Sequence, residues 1–93
     1  MSEYKLGINK INYIPTIDDD LAVTAYFYSP SDVKSGIITF TKTTIENIYR
    51  AEFDFTDYGR WIGVFFENGV LQYMQSFIIE RPEGVVYYKG RTL

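Results

Sequence analysis

The chain has 93 residues, a formal net charge of −3, and neither cysteine nor histidine. That length holds one core, not two domains and a linker. Without cysteine there is no disulfide framework and no thiolate site; without histidine the usual general base and the commonest nitrogen ligand for metals are gone; and slightly acidic, mixed-sign charge gives no dense basic face for a nucleic acid.

Aromatic residues are abundant, nine tyrosines and seven phenylalanines among them, and these types favour strands and interfaces. The opening "MSEYKLGINK" contains no apolar run of signal-peptide length, and no later stretch reaches a membrane span. No membrane partner is expected, and synthesis without a signal peptide in a host cytoplasm is. Residues 1–10 read as an extended arm. "INYIPTI" (11–17) reads as an edge strand, because Pro15 cannot donate to a central ladder. Asp18, Asp19 and Asp20 read as a solvated turn, since three adjacent carboxylates cannot converge on one calcium ion and the alternate ligands of a calcium loop are missing.

Period-two alternation then dominates. "LAVTAYFY" (21–28) places Leu21, Val23, Ala25 and Phe27 on one face and Ala22, Thr24, Tyr26 and Tyr28 on the other, before "SPSD" turns the chain. "GIITFTK" (36–42) reads as one further strand. In "NIYRAEFDF" (47–55), Tyr49, Ala51, Phe53 and Phe55 face inward and Arg50, Glu52 and Asp54 outward. "RWIGVFFENG" and "VLQYMQSFIIE" are joined by Asn68-Gly69, a hairpin signal because both residues tolerate positive φ. "GVVYYKG" (84–90) reads as a last strand or an extended tail, with 84–93 a second candidate arm. Nothing shows sustained helical period. Six or seven short antiparallel strands in one domain predict an all-β fold, a small immunoglobulin-like β-sandwich, with an open barrel as the alternative.

No reaction centre emerges. Glu52 and Asp54 share a strand face with Arg50 in solvent, which makes a charged surface and not an acid/base pair with separated pKa values. Gly36, Gly59, Gly63 and Gly69 are isolated, so no phosphate loop is present. The expectation is a protein with no catalytic residues, no cofactor and no metal.

Asp57-Tyr58-Gly59-Arg60-Trp61 has the spacing Asp-x-Gly-x-aromatic, and here the chain resembles an immunoglobulin-like sandwich. In that fold the pattern marks the corner entering the penultimate strand, where an aromatic with a polar handle bonds back to the main chain. Asp57, Gly59 and Trp61 are the expected corner, with Trp61 in place of the usual tyrosine. More widely, residues 20–80, with "YSPSD", "IYRAEFDF", "WIGVFFENG" and "QSFIIE", look like the small immunoglobulin-like proteins and domains of tailed bacteriophage particles. The resemblance implies a structural protein of a virion, either head-associated, a connector or a tail component, located in the particle and contacting other virion proteins in a multi-copy or homo-oligomeric assembly.

If Trp61, Gly63 and Phe65 point into the core, then Ile62, Val64 and Phe66 point outward. By the same count Leu71, Tyr73, Phe77 and Ile79 share one face of the next strand, while Val70, Met74 and Ile78 share the other. Each exposed large apolar side chain forfeits about 1.5–3 kcal/mol of burial, so a cover is expected. The candidates are the N-terminal Tyr4, Leu6 and Ile8, the C-terminal "VVYY", or another subunit. Ile62, Val64, Phe66, Tyr26, Tyr28, Tyr87 and Tyr88 are therefore the expected partner-binding residues. Two other roles are compatible with the residues: a carbohydrate-binding module with Tyr26, Tyr28 or Trp61 as platforms, and a small cytoplasmic inhibitor of a host enzyme.

Overall fold

A computed structural model describes residues 4–15, 20–45 and 47–81. Among them are seven strands and no helix: β1 (Gly7–Tyr13), β2 (Val23–Tyr28), β3 (Ile38–Thr39), β4 (Thr41–Lys42), β5 (Tyr49–Phe55), β6 (Gly59–Glu67) and β7 (Val70–Ile79). They form two sheets in which every pairing is antiparallel, one with order β1-β5-β4 and one with order β3-β2-β6-β7. The fold is a small all-β sandwich of two antiparallel sheets. Tyr87 and Tyr88, with the rest of 84–93, lie outside the described residues, as do Asp18 and Asp19.

Alternation explains the core. The inward residues Phe27, Phe55, Phe65, Phe77, Ile11, Ile79 and Val23 are fully buried. Phe27 sits at the centre, its ring centroid 4.1 Å from that of Phe53, 5.6 Å from Phe77 and 6.0 Å from Phe55. Such offset and edge-on ring pairs add to simple area burial. Gly63 faces this cluster because no side chain fits there: a Cβ would fall 2.9 Å from the rings of Phe65 and Phe77 and 3.0 Å from Phe27.

Three departures from the sequence reading have physical causes. First, β1 begins at Gly7, so residues 7–10 belong to the sheet and not to an arm. Asn9 interrupts the apolar alternation there, but its side chain is occupied locally: Oδ1 accepts the Lys5 N–H at 3.1 Å, and Nδ2 donates to the carbonyls of Lys5 and Gly7. Second, residues 36–42 are not one strand. The chain leaves the β2 sheet after Thr39, buries Phe40 between the layers, and joins β5 in the other sheet at Thr41. Third, the β6–β7 register shifts between Phe65 and Phe66: Tyr73 pairs with Phe65 but Leu71 pairs with Phe66, leaving Gln72 as the extra residue of a bulge. The bulge moves Leu71 to the outer face with Phe66, and sets Val70 opposite Glu67.

The β6–β7 turn follows the Asn-Gly rule, with φ of 51° at Asn68 and 81° at Gly69. It is also tied to the start of β2. Asn68 N–H donates to the Ala22 carbonyl at 2.8 Å, and Asn68 Oδ1 accepts the Ala22 N–H at 2.9 Å.

Candidate functional site

Positive φ at Gly59, 124°, bends the chain into β6, and its lack of a Cβ lets Pro30 approach, since a methyl group there would lie 2.9 Å from Pro30 Cγ. Two residues on, Trp61 is 3% exposed, and its Nε1–H donates to the Asp57 carbonyl at 3.0 Å. Asp57, Gly59 and Trp61 thus form one corner. Asp57 contributes through its main-chain oxygen, while its carboxylate accepts the Thr56 hydroxyl at 3.2 Å. An indole buried to this depth, edge-on to Phe53 and Phe55 at 5.5 and 5.3 Å, offers no platform to a ligand. Of the two roles read for Trp61, its burial and hydrogen bond fit the structural corner.

The two outward faces of the sandwich differ in kind. On the β1-β5 face, Ile8, Lys10 and Asn12 stand opposite Asp54, Glu52 and Arg50, and Arg50 Nε donates to Asn12 Oδ1 at 2.7 Å. That face is mainly polar, and it holds the Glu52 and Asp54 carboxylates in solvent. On the β2-β6-β7 face, successive rows are Tyr28–Ile62–Ser76, Tyr26–Val64–Met74 and Thr24–Phe66–Leu71. Only the row ends, with Arg60 beyond them, bring polar groups.

Within that face the expected partner residues occupy different depths. Val64 is 5% exposed yet lies outside the main core cluster, flanked in its row by Tyr26 and Met74. Tyr26 lies 5.6 Å from Phe66 and edge-on to Tyr28 at 5.5 Å, and the Lys34 ammonium sits 4.2 Å above the Tyr26 ring. Ile62, Phe66, Tyr26 and Tyr28 are half-buried, while Met74 and Leu71 are 59% and 53% exposed. The sequence reading missed Leu71 as a member because the bulge at Gln72 reverses its parity. Two of the N-terminal candidates are placed elsewhere: Tyr4 packs on Phe77 at 5.0 Å and Phe55 at 6.1 Å, on the core side, and Ile8 belongs to the opposite sheet.

One buried polar pair was also not foreseen. Tyr13 on β1 donates its hydroxyl to Glu67 Oε2 at 2.6 Å, across the layers, and both residues are buried. Burial, then the hydrogen bond and charge of Glu67, push the Tyr13 phenol well above its ordinary pKa, so it stays protonated. This makes Tyr13 a fixed donor and no acid/base catalyst at neutral pH. Its only sequence signal was a charged residue in the strand position before the Asn-Gly turn.

Among the described residues no group of three or more carboxylates is placed to hold a metal ion. No protein-family model matches the chain, and neither the curated proteins nor the solved structures give a match.

Proposed function

We propose that this protein is a non-enzymatic structural component that works by protein–protein contact, its docking surface being the outer face of β2, β6 and β7. One observation carries the reading: one outward face of the sandwich is polar and the other presents Tyr26, Tyr28, Ile62, Phe66, Leu71 and Met74. An antiparallel sheet that faces water is ordinarily polar on that side. Apolar area of this kind is stabilised by a partner. The assembly is a phage particle with other virion proteins or further copies of this chain as neighbours; that part rests on the resemblance over residues 20–80 and on the Gly59–Trp61 corner.

Light scattering of the purified chain across a concentration series tests the reading. A discrete oligomer is expected, dissociated by Met74→Glu or Leu71→Glu into a monomer that circular dichroism shows still folded. Val64 is the wrong probe, since its buried position would turn a charge into a folding defect. A protein that stays monomeric at every concentration and that neither substitution alters would overturn the proposal of a self-assembling component.

A further inference from the structure

Among the described residues β1 and β7 are the end strands of their respective sheets, and between them runs a cleft of about 310 Å³ lined by Asn12, Tyr13, Ile14, Gln72, Tyr73 and Gln75. Three of these six are carboxamides, two are tyrosines and none is charged. Among the described residues the side chains of Gln72 and Gln75 make no hydrogen bond. Asn12 accepts Arg50 through Oδ1, which leaves its Nδ2 group as a donor. The hydroxyl of Tyr13 is committed to Glu67, so the carboxylate behind the cleft is already engaged by a donor. Tyr73 is 50% exposed, its ring 6.0 Å from Phe65, which backs it from the core side.

We propose that this cleft binds a neutral sugar ring. A carboxamide both donates and accepts, which matches a hydroxyl that does the same, and a half-exposed tyrosine ring receives the C–H face of a pyranose. An uncharged lining gives no purchase to phosphate or to a carboxylate ligand. The volume lies at the small end of ligand sites, the scale of one or two rings. The bulge supplies the third argument, because an extra residue in a strand re-aims a side chain and interrupts the ladder. Gln72 is that residue, placed at the cleft. It disfavours the alternative occupant, an extended peptide adding to the β7 edge, because a regular row of main-chain groups is broken where such a peptide would pair. The site is separate from the outer apolar face and does not rest on the assembly reading.

The test is an NMR titration of the full chain with D-glucose, D-galactose, D-mannose and N-acetyl-D-glucosamine, and with their β-linked disaccharides. At least one is expected to bind saturably with a dissociation constant on the order of millimolar, as befits a small, open contact, shifting the Gln72 and Gln75 side-chain NH₂ signals and the Tyr73 ring. Tyr73→Ala and, as a milder change, Gln75→Ala should each weaken binding at least fivefold, with the fold retained by circular dichroism. Glu52→Gln, on the outward face of the other sheet, should leave it unchanged. The proposal is overturned if no sugar in the panel gives saturable shifts, if the shifts map to Tyr26 and Tyr28, if they survive in Tyr73→Ala, or if only an extended peptide perturbs these residues.

Discussion

The hydroxyl of Tyr13 and the carboxylate of Glu67 meet at 2.6 Å inside the sandwich, joining β1 of one sheet to β6 of the other. A hydrogen bond to a charged acceptor contributes about 1.5–3 kcal/mol where solvent is excluded. Tyr13→Phe keeps the ring, which stacks 5.2 Å from Phe65, and removes only the donor. A loss of about that size in urea denaturation at pH 7 is expected, with the fold retained by circular dichroism.

The same pair sets a pH dependence. The folded protein holds the Tyr13 proton above the ordinary phenol value of 10.0, where the unfolded chain releases it. Stability from this group is therefore fully present below about pH 10 and lost as pH climbs toward the higher folded value. Denaturation midpoints measured upward from pH 9 should fall, and they should fall less steeply in Tyr13→Phe.

Gly63 is a tight spot. Gly63→Ala brings a methyl group into the space shared by Phe27, Phe65 and Phe77, an overpacking that costs about 1–3 kcal/mol. Gly36→Ala is the control, since a Cβ there meets nothing within 4 Å. Thermal melts of the two variants should separate clearly, with Gly63→Ala the lower.

At the hairpin, Asn68→Gly preserves the positive φ but deletes the acceptor for the Ala22 N–H, and a loss of about 1 kcal/mol is expected. Asn68→Ala loses the same bond and adds the strain of a left-handed alanine, about 1–2 kcal/mol more. The order wild type, Gly, Ala in chemical denaturation checks this; equal stability of all three would show that the tie to β2 contributes nothing.

Trp61 is the sole tryptophan, so fluorescence reads its surroundings directly. Its emission should be blue-shifted and resistant to acrylamide. Trp61→Phe should cost about 1 kcal/mol or more through the lost bond to the Asp57 carbonyl, besides any change in packing.

What could be read in advance was whatever is local. Alternation places Tyr49 through Phe55 correctly because each residue's face depends only on its neighbours, and Asn68-Gly69 and Gly59 announce their turns by conformational need. Three features depended on distant contacts. The sheet change at Phe40 carries no glycine or proline, and is decided by which layer offers β2 or β5 as a partner. The bulge at Gln72 is invisible to a period-two count, which assigns Leu71 and Tyr73 to one face. Glu67 ends a strand beside the turn, where a carboxylate ordinarily faces water, and the donor that meets it inside the sandwich is Tyr13, fifty-four positions earlier.

Phe40 has a mechanical meaning. Along one side of the sandwich a single residue carries the chain from one layer to the other, so the sheets are bound there as pages are bound to a spine. Along the far side, where β1 and β7 lie, no such covalent crossing joins the described strands; Tyr13 with Glu67, and Tyr4 between Phe55 and Phe77, close it through side chains alone. Partial opening should therefore begin on that fore-edge, with amides of β1 exchanging with solvent deuterium ahead of those in the central strands β2 and β6.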